Sequence, residues 1–328
     1  EIEEITLELD IKINRKDFGA NECKFLFAYT VEEQESQSNR HFYSFIQIAQ
    51  QMGRTMVLTN VGGSRISSLK NFPFDFYYNV DELSKKFPQV KFILQHEFQK
   101  WAKERENNDL NQFLSDVLES NAEVMLITQE GIRGPIFERL APMPYASHIT
   151  NAASNFANKL KPYIGIHWRM ESGQLDLMSK CAESLVTYIR NFGITNIYLA
   201  TDYPLAEYMH NKAQSDTFHH IHEEHHIVMR ILNSTLNINT WVSTHALDYL
   251  KSSLNATKTN QLQEELRGGG IQGIFDKLML IQADYFIGGP ENCCRYMSTY
   301  TLQIKDAREE SFKNNGTIKN VIDRWELY

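Results

Sequence analysis

The chain has 328 residues, with 41 acidic against 33 basic side chains, a net charge of −8, and 42% hydrophobic and 12% aromatic residues. This composition excludes a disordered, collagen-like or coiled-coil protein and indicates a globular one. At about 150 residues per domain, the length predicts two domains. The chain has neither clustered Lys and Arg nor an apolar stretch of about 18 residues, so we expect no nucleic-acid partner and no membrane contact by this segment.

The N-terminal half alternates the patterns of strands and helices. Residues 24–29 form a short apolar run typical of a buried strand, and residues 31–39 indicate a polar loop. Apolar side chains at helical spacing over residues 42–49 predict a helix, and residues 55–59 predict a second strand. A strand, a helix and a strand at these spacings predict a βαβ unit with parallel strands.

The pattern continues less regularly toward the middle of the chain. A helix is predicted around Trp101, a strand at residues 123–128 and a linker at the Pro-rich residues 141–144. We therefore expect an N-terminal lobe in residues 1–150 and a C-terminal lobe in residues 151–328.

The C-terminal half is more regular. Strands are predicted at residues 163–167, 196–200 and 285–287, and helices at residues 177–189, 274–283 and 293–300. This alternation predicts a doubly wound parallel sheet, whose ligands bind at the carboxyl ends of the strands. Four polar or conformationally special residues fall at those ends: His167, Arg169, Asp202 and Gly288.

His167 and Arg169 follow one predicted strand and are two residues apart, so their side chains leave it on the same side. A guanidinium matches phosphate oxygens bidentately and neutralises a diphosphate without a metal. The pair therefore indicates an anion site, with an interdomain salt bridge as the structural alternative.

A glycine-rich segment, residues 266–273, precedes the predicted helix that starts at residue 274. Helix N-termini favour anions, so this segment with Arg267 is a candidate phosphate loop, and a plain flexible loop is the alternative. Asp276 falls in the first turn of that predicted helix. There it could accept hydrogen bonds from a guanine edge or cap the helix.

Histidines crowd residues 219–226. The segment lacks the His-Glu-x-x-His pattern, and no Cys or carboxylate can be assigned to complete a zinc site. We interpret it as a solvated surface segment, and we expect no metal or other cofactor.

A series of short motifs occurs in a fixed order along the C-terminal half, and weaker matches to the same series occur in the N-terminal half. The segments are Tyr163–Glu171, Tyr198–Pro204, Arg267–Gly273, Asp276, Ala283–Gly288 and Cys294–Arg295, with residues 25–29, Asn39–Arg40 and residues 53–58 as the weaker ones. In this order they resemble the motifs of the GDP-fucose fucosyltransferase superfamily, which includes protein O-fucosyltransferases and α-1,6-fucosyltransferases.

The resemblance implies an α/β fold of the GT-B type, with two Rossmann-like lobes, parallel sheets and a cleft between them. It implies an inverting glycosyltransferase that moves fucose from GDP-fucose to a hydroxyl of a glycan or of Ser or Thr in a protein, with no cofactor and no obligatory metal. The implied partners are GDP-fucose and a glycan or protein acceptor. A nucleotide-sugar-binding or glycan-binding relative without turnover is the alternative.

The resemblance also implies roles for individual residues. Arg169 matches the arginine on the donor β-phosphate, His167 the histidine beside the nucleotide, and Asp276 the aspartate that reads guanine. Asn39 matches an asparagine near the diphosphate. The other implied nucleotide-sugar-binding residues are Arg40, Asp202, Arg267, Gly288, Cys294 and Arg295. The residues after Gly288 depart from the usual pair of hydroxyl side chains, which are replaced by Gly-Pro-Glu-Asn.

The chemistry of fucosyl transfer suits these residues. The reaction builds positive charge on the sugar ring and negative charge on the departing GDP. A fixed guanidinium such as Arg169 stabilises that negative charge, and a carboxylate on the opposite face can take the acceptor's proton. Glu171 and Asp176 are both candidates for this catalytic base.

Four cysteines bear on the cellular compartment: Cys23, Cys181, Cys293 and Cys294. Neighbouring Cα atoms lie ~3.8 Å apart, so Cys293 and Cys294 are not expected to bond to each other. In the lumen of the Golgi or endoplasmic reticulum, we expect two long-range disulfides, one of them joining the two lobes of a trimmed lumenal domain. Four reduced thiols in a cytosolic enzyme are the alternative.

Overall fold

A computed structural model describes two compact units. One comprises Glu1–Glu138 with Met143–Ala146, and the other comprises Arg139–Pro142 with Ser147–Tyr328. The described residues are 2–20, 22–31, 33–104, 124–128, 142–205, 218, 220–253, 265, 269–294, 298–314 and 316–327. By these bounds the chain passes between the units three times, after Glu138, after Pro142 and after Ala146. No helix of the described residues is long and apolar enough to cross a membrane.

The first unit is built on a sheet with the strand order β3-β4-β1-β2-β5, in which β6 also pairs with β1. Its elements are α1 (Ile2–Phe18), β1 (Phe25–Val31), α2 (Glu35–Gln51), β2 (Thr55–Leu58), β3 (Val61–Gly62), β4 (Arg65–Ser67), a 3-10 turn (Phe74–Phe76), α3 (Val80–Lys86), β5 (Phe92–Leu94), α4 (Gln95–Glu104) and β6 (Val124–Thr128). β1 is parallel to β2 and β6. The predicted βαβ unit is confirmed.

Helix α2 starts at Glu35, inside the polar loop predicted for residues 31–39. The loop prediction is therefore wrong for residues 35–39. The cause is a pair of side chains four residues apart, where Asn39 Nδ2 donates to Glu35 Oε1 at 2.6 Å. Pairs at this spacing share one helix face and stabilise the first turn. Phe42 and Phe45, in the next two turns of α2, are completely buried.

The second unit is built on a five-stranded sheet with the order β11-β10-β7-β8-β9. Its elements are α5 (Ser147–Leu160), β7 (Tyr163–Trp168), 3-10 turns at Met170–Ser172 and Leu175–Leu177, α6 (Met178–Arg190), β8 (Asn196–Thr201), α7 (Glu223–Thr235), β9 (Asn237–Asn239), α8 (Ala246–Ser253), α9 (Gly269–Gln282), β10 (Tyr285–Gly288), α10 (Thr299–Lys313) and β11 (Asp323–Arg324). All four strand pairs are parallel. The predicted parallel α/β architecture is confirmed.

Close packing holds α9 against the central strand β7. A Cβ atom added to Gly165 would lie only 2.9 Å from the Cβ of Ala283 and 3.0 Å from the side chain of Leu280. Real Cβ atoms rarely approach other atoms so closely, so only glycine allows the helix to lie at this distance from the sheet. This contact fixes the side of the sheet on which α9 carries Asp276.

Two predicted helices begin elsewhere. The helix predicted to start at residue 274 starts at Gly269, because Ile271 and Phe275 are completely buried on one helix face. The helix predicted at residues 293–300 is wrong, because Cys293 and Cys294 lie in a turn and α10 starts at Thr299. Consequently residues 269–273 belong to a helix rather than to a phosphate loop.

Candidate functional site

The candidate site of the second unit lies at the carboxyl edge of its sheet. His167 of β7 pairs with Gly288 of β10 on one side and with Ala200 of β8 on the other. Arg169 follows directly on β7, and Asp202 follows directly on β8. Because the three strands are parallel, their carboxyl ends meet at one edge. The structure therefore brings His167, Arg169, Asp202 and Gly288 together.

Arg169 forms an ion pair with Glu171 across the 3-10 turn that begins after it, between Nη2 of the arginine and Oε1 of the glutamate. The Arg169 and Glu171 side chains keep 21% and 11% of their surface exposed. A partly exposed guanidinium at a sheet edge can receive phosphate oxygens bidentately. A phosphate bound there would compete with the Glu171 carboxylate.

Asp202 fixes the backbone of this turn. Its Oδ1 accepts the N–H of Met170 at 2.7 Å, and its Oδ2 accepts the N–H of Glu171 at 3.2 Å. Burial raises the pKa of Asp202 to about 6, partly offset by these two backbone hydrogen bonds. Both oxygens of Asp202 thus contact the protein backbone, and its predicted contact with a nucleotide stays a prediction.

His167 is a neutral imidazole at the sheet edge. Its Nδ1 lies 3.1 Å from the hydroxyl oxygen of Thr301, and its ring centroid lies 4.8 Å from that of Tyr300. Burial, and next the charge of Arg169, lower the pKa of His167 to about 3. At neutral pH this histidine therefore offers a hydrogen bond rather than a positive charge.

Hydroxyl groups at the start of α10 stand beside His167, and the sequence reasoning missed them. Ser298 caps the helix by accepting the N–H of Thr301 at 3.2 Å, and the two hydroxyl oxygens are 2.9 Å apart. A serine immediately before a helical pattern is a recognisable capping signal. The sequence did not indicate this cap because the helix was predicted to start at residue 293, before Ser298.

Asp276 lies inside α9, with 5% of its surface exposed. Its Oδ1 accepts the hydroxyl of Tyr198 at 2.5 Å, and its Oδ2 accepts Nε2 of Gln272 at 3.4 Å. Burial raises the pKa of Asp276 to about 7. The helix-capping alternative is wrong because Asp276 lies seven residues after the first residue of α9. Reading guanine would require this carboxylate to share or release its partners, so that role stays a prediction.

Cys294 is buried at the other side of the Arg169 turn. The backbone N–H groups of Gly289 and Arg169 hydrogen-bond its sulfur, and burial raises the pKa of the thiol to about 11. A side chain on Gly289 would collide with the sulfur of Cys294. Cys294 is therefore a neutral thiol whose sulfur accepts hydrogen bonds from the backbone of Gly289 and Arg169.

One disulfide joins Cys181 of α6 to Cys293, 112 residues later. It lies within the second unit, and neither Cys23 nor Cys294, both buried, takes part in a disulfide. The predicted pair of bridges with one joining the lobes is thus wrong. Cys23 instead packs in the apolar core of the first unit, and Cys294 contacts the Arg169 backbone. The prediction that the adjacent cysteines do not bond to each other is confirmed.

Asn39 belongs to a buried polar network of the first unit. Tyr78 donates to Asn39 Oδ1 at 2.8 Å, while Asn39 Nδ2 and the Tyr145 hydroxyl both donate to Glu35 Oε1, at 2.6 and 2.7 Å. No local motif joins Tyr145 to Glu35 across 110 residues, so the sequence analysis missed this network. Arg40 is half-buried beside it in the chain. The predicted diphosphate contacts of Asn39 and Arg40 stay predictions.

The two candidate bases differ in their surroundings. Glu171 is half-buried and paired with Arg169, whereas Asp176 is exposed in the 3-10 turn Leu175–Leu177. The two remaining predicted residues, Arg267 and Arg295, lie outside the described residues.

In the described part of the histidine-rich segment, residues 220–226, the side chains are only partly solvated. His222 is exposed as predicted, but His225 is 2% exposed, so the prediction is wrong for His225. His225 shares a helix face with the fully buried Val228 and Leu232 of α7. Among the residues that the structure describes, no three His, Cys, Asp or Glu side chains are grouped to hold a metal ion.

No protein-family model matches the sequence, and neither does any curated protein. Solved structures do match. A structure of POFUT1 in complex with GDP-fucose aligns over 93% of this chain and 98% of its own, at 13% identity and a TM-score of 0.52. One of POFUT1 in complex with GDP aligns over the same shares at 12% identity and a TM-score of 0.51. The chain therefore has the fold of the POFUT1 structures, as the resemblance to fucosyltransferases predicts.

Proposed function

We propose that the protein is a glycosyltransferase that moves fucose from GDP-fucose to a hydroxyl of a glycan or of Ser or Thr in a protein, with inversion at the sugar. One observation carries this proposal: Arg169 stands partly exposed at the carboxyl end of the central parallel strand. The fold is shared with POFUT1, whose structures contain GDP and GDP-fucose. Parallel α/β sheets bind nucleotides at this edge.

The proposed mechanism assigns a charge role to Arg169 and a hydrogen-bonding role to His167. As the bond from fucose to GDP breaks, negative charge develops on the β-phosphate, and a prearranged guanidinium stabilises it without solvent reorganisation. The neutral His167 hydrogen-bonds the nucleotide without adding a second positive charge. Glu171 or Asp176 accepts the proton of the acceptor hydroxyl as it attacks the sugar.

The remaining proposed donor contacts are those implied by the resemblance. Besides Arg169 and His167 they comprise Asn39, Arg40, Asp202, Arg267, Asp276, Gly288, Cys294 and Arg295. Asn39, Asp202, Asp276 and Cys294 already hydrogen-bond other groups of the chain. We propose that they act chiefly by shaping the site.

A binding protein without turnover is the second candidate. It is favoured by the ion pair that occupies the candidate base Glu171, and by the Gly-Pro-Glu-Asn that replaces the usual pair of hydroxyl side chains after Gly288. Incubation with a panel of nucleotide sugars separates the two proposals. A transferase releases GDP slowly from GDP-fucose in the absence of acceptor, whereas a binder shows affinity for GDP-fucose without GDP release.

We propose that transfer needs no metal, because Arg169 supplies the positive charge that a divalent cation would otherwise bring to the diphosphate. Fucose transfer should therefore persist at its full rate in EDTA. Loss of transfer in EDTA with recovery on adding Mn²⁺ would overturn this part of the proposal.

We propose the lumen of the secretory pathway, Golgi or endoplasmic reticulum, as the working compartment. The disulfide Cys181–Cys293 supports it, because disulfides persist in oxidising compartments and are rare in the cytosol. Immunolocalisation of the full-length protein with compartment markers tests this directly.

A further inference from the structure

The start of α10 holds two hydroxyl groups in series with the ring of His167. Nδ1 of His167 lies 3.1 Å from the hydroxyl oxygen of Thr301, and that oxygen lies 2.9 Å from the hydroxyl oxygen of Ser298. Ser298 and Thr301 are 8% and 5% exposed, so water is largely excluded from both hydroxyl groups. The proton of each hydroxyl must therefore find its acceptor within the protein.

The partners of Ser298 fix the direction of this series. Its hydroxyl oxygen accepts the N–H of Thr301 at 3.2 Å. Within the part of the chain that the structure describes, the hydroxyl oxygen of Thr301 is the one acceptor in reach of the Ser298 proton. Thr301 must then turn its own proton toward Nδ1 of His167. The reverse direction would leave the buried Ser298 proton without an acceptor, which costs free energy.

The direction of the series determines which nitrogen of His167 carries a proton. A ring nitrogen that accepts a hydrogen bond, here Nδ1, is unprotonated. Burial lowers the pKa of His167 to about 3, so the ring is uncharged at neutral pH and its single proton is on Nε2. The ring makes no other hydrogen bond to the described residues, and His167 is half-buried at the sheet edge. Nε2–H is therefore available as a donor to a ligand.

Contacts between α9 and α10 keep the two hydroxyl groups in place. The Tyr300 ring lies 4.8 Å from the His167 ring between centroids, and the Tyr300 hydroxyl donates to the carbonyl of Gly273 in α9 at 3.0 Å. Lys277 of α9 is completely buried. Its Nζ donates to Oε1 of Gln303 in α10 at 2.5 Å and lies 5.1 Å from the centroid of the Tyr300 ring. The start of α10 is thus joined to α9 at two points beside His167.

We propose that Thr301 is a positioning residue of the candidate site, which holds His167 with its ring proton on Nε2 and so presents a hydrogen-bond donor to the nucleotide. This inference rests on the proposed function, in which His167 contacts the nucleotide of GDP-fucose. A donor suits this ligand because the oxygens of an ionised diphosphate only accept hydrogen bonds. The opposite tautomer would present an unprotonated nitrogen, which offers these oxygens no hydrogen bond.

The first test measures the tautomer by nitrogen NMR of isotope-labelled histidines and does not depend on activity. The signals of His167 are identified by their loss in His167→Gln. We expect the wild type to carry the ring proton on Nε2 alone. Thr301→Val keeps the shape of the side chain and removes the hydroxyl, so its Nδ1 signal should shift toward that of a nitrogen without a hydrogen bond. Thr301→Ser keeps a hydroxyl and should retain the wild-type signals.

Thr187→Val is the matched control for the loss of a threonine hydroxyl. Thr187 is an exposed residue of α6 in the same unit, and its hydroxyl donates to the carbonyl of Glu183 at 3.0 Å. We expect the His167 signals of this variant to match those of the wild type.

The second test measures GDP binding by calorimetric titration. We expect Thr301→Val to bind GDP about 3-fold to 10-fold more weakly than the wild type, which corresponds to the net contribution of one hydrogen bond. Thr301→Ser should recover most of the affinity, and Thr187→Val should match the wild type. Thr301→Ala replaces Thr301→Val in both tests if the valine prevents folding.

Two results would overturn the inference: a wild-type His167 with its proton on Nδ1, or a Thr301→Val variant whose nitrogen signals or GDP affinity match those of Thr187→Val. A wild-type protein that does not release GDP from GDP-fucose would instead refute the proposed transferase. The NMR measurement would still decide whether Thr301 sets the tautomer of His167.

Discussion

At the scale of single residues, an ion pair joins the proposed phosphate ligand Arg169 to Glu171, one of the two candidate bases. Arg169 is the proposed phosphate ligand, and Glu171 is its partner in the unliganded chain. A bound diphosphate would take over the guanidinium and leave the Glu171 carboxylate without its cation. A carboxylate without that partner is available to accept the hydrogen bond of an acceptor hydroxyl, as a general base must.

Glu171→Gln should therefore change binding and turnover in opposite directions. Removal of the competing charge should tighten GDP binding by about 3-fold to 10-fold. Loss of the base should slow transfer by about 100-fold or more. Asp176→Asn is the matched control, and slow transfer in this variant alone would identify Asp176 as the base. Calorimetric GDP titration that shows weaker binding by Glu171→Gln would contradict the competition.

The buried Asp276 should make stability depend on pH. Its folded pKa is raised to about 7 from an ordinary value of 3.8, so the folded protein holds a proton that the unfolded chain releases. The contribution of Asp276 to stability is fully present below pH 3.8 and is lost as the pH rises through about 7.

Denaturant unfolding at pH 5 and pH 8 measures this effect. Relative to Asp276→Asn, the wild type should lose up to about 3 kcal/mol between the two conditions, because about two units of the pKa shift fall between pH 5 and pH 8 and each unit corresponds to about 1.4 kcal/mol. Parallel pH dependence of the two proteins would show that Asp276 does not titrate in this range.

Nucleotide preference tests the other role of Asp276. If its carboxylate reads guanine, Asp276→Asn should lose GDP affinity and keep its affinity for UDP. Tyr198→Phe removes the buried hydroxyl on Asp276 Oδ1 and leaves the carboxylate in place. Equal losses for GDP and UDP in both variants would assign Asp276 a structural role.

At the scale of elements, the short strands were predictable because their signal is local. The apolar runs that became β1, β7, β8 and β10 were located within two residues of their observed ends. The convergence of Arg169 with Asp202 followed from parallel strand order alone. The residues that meet at this edge of the sheet could therefore be predicted from the sequence.

The start of α9 and the contact of Tyr145 with Glu35 were not predictable in this way. Glycine costs about 1 kcal/mol in a helix, so the glycines near residue 270 indicated a loop. Burial of Ile271, a tertiary effect, outweighs that cost. Likewise the Tyr145 hydroxyl donates to Glu35 across 110 residues, and no local pattern encodes a contact at that separation.

The carboxyl end of α9 depends on Arg308, which is completely buried. Its Nη1 donates to the carbonyls of Leu280, Ile281 and Ala283 at 2.9, 2.9 and 2.7 Å. These carbonyls have no helical partner at a helix end, so the guanidinium satisfies them. Burial lowers the pKa of Arg308 to about 10.

Arg308→Met should therefore destabilise the second unit by about 3–5 kcal/mol, because several buried carbonyls lose their donor. Arg190→Met, an exposed arginine at the end of α6, is the control and should change stability by less than about 0.5 kcal/mol. Urea unfolding compares the two variants. A loss below about 1 kcal/mol for Arg308→Met would contradict this account of the helix end.

At the scale of the whole molecule, the disulfide Cys181–Cys293 closes a loop of 112 residues across the second unit. In the chain-entropy model a loop of this size contributes about 4–5 kcal/mol to stability. Intact-mass measurement after alkylation under denaturing, non-reducing conditions should find two modified thiols, and four after reduction. Four modified thiols without reduction would contradict the disulfide and weaken the lumenal proposal.

The proposed transferase activity is tested most directly by GDP release from GDP-fucose in wild type, Arg169→Ala and the exposed-arginine control Arg190→Ala. We expect wild type and Arg190→Ala to release GDP at similar rates. Arg169→Ala should be at least about 100-fold slower, with unchanged thermal stability, because it lacks the guanidinium that stabilises the departing diphosphate. GDP release by Arg169→Ala within a few-fold of the wild type would contradict the account.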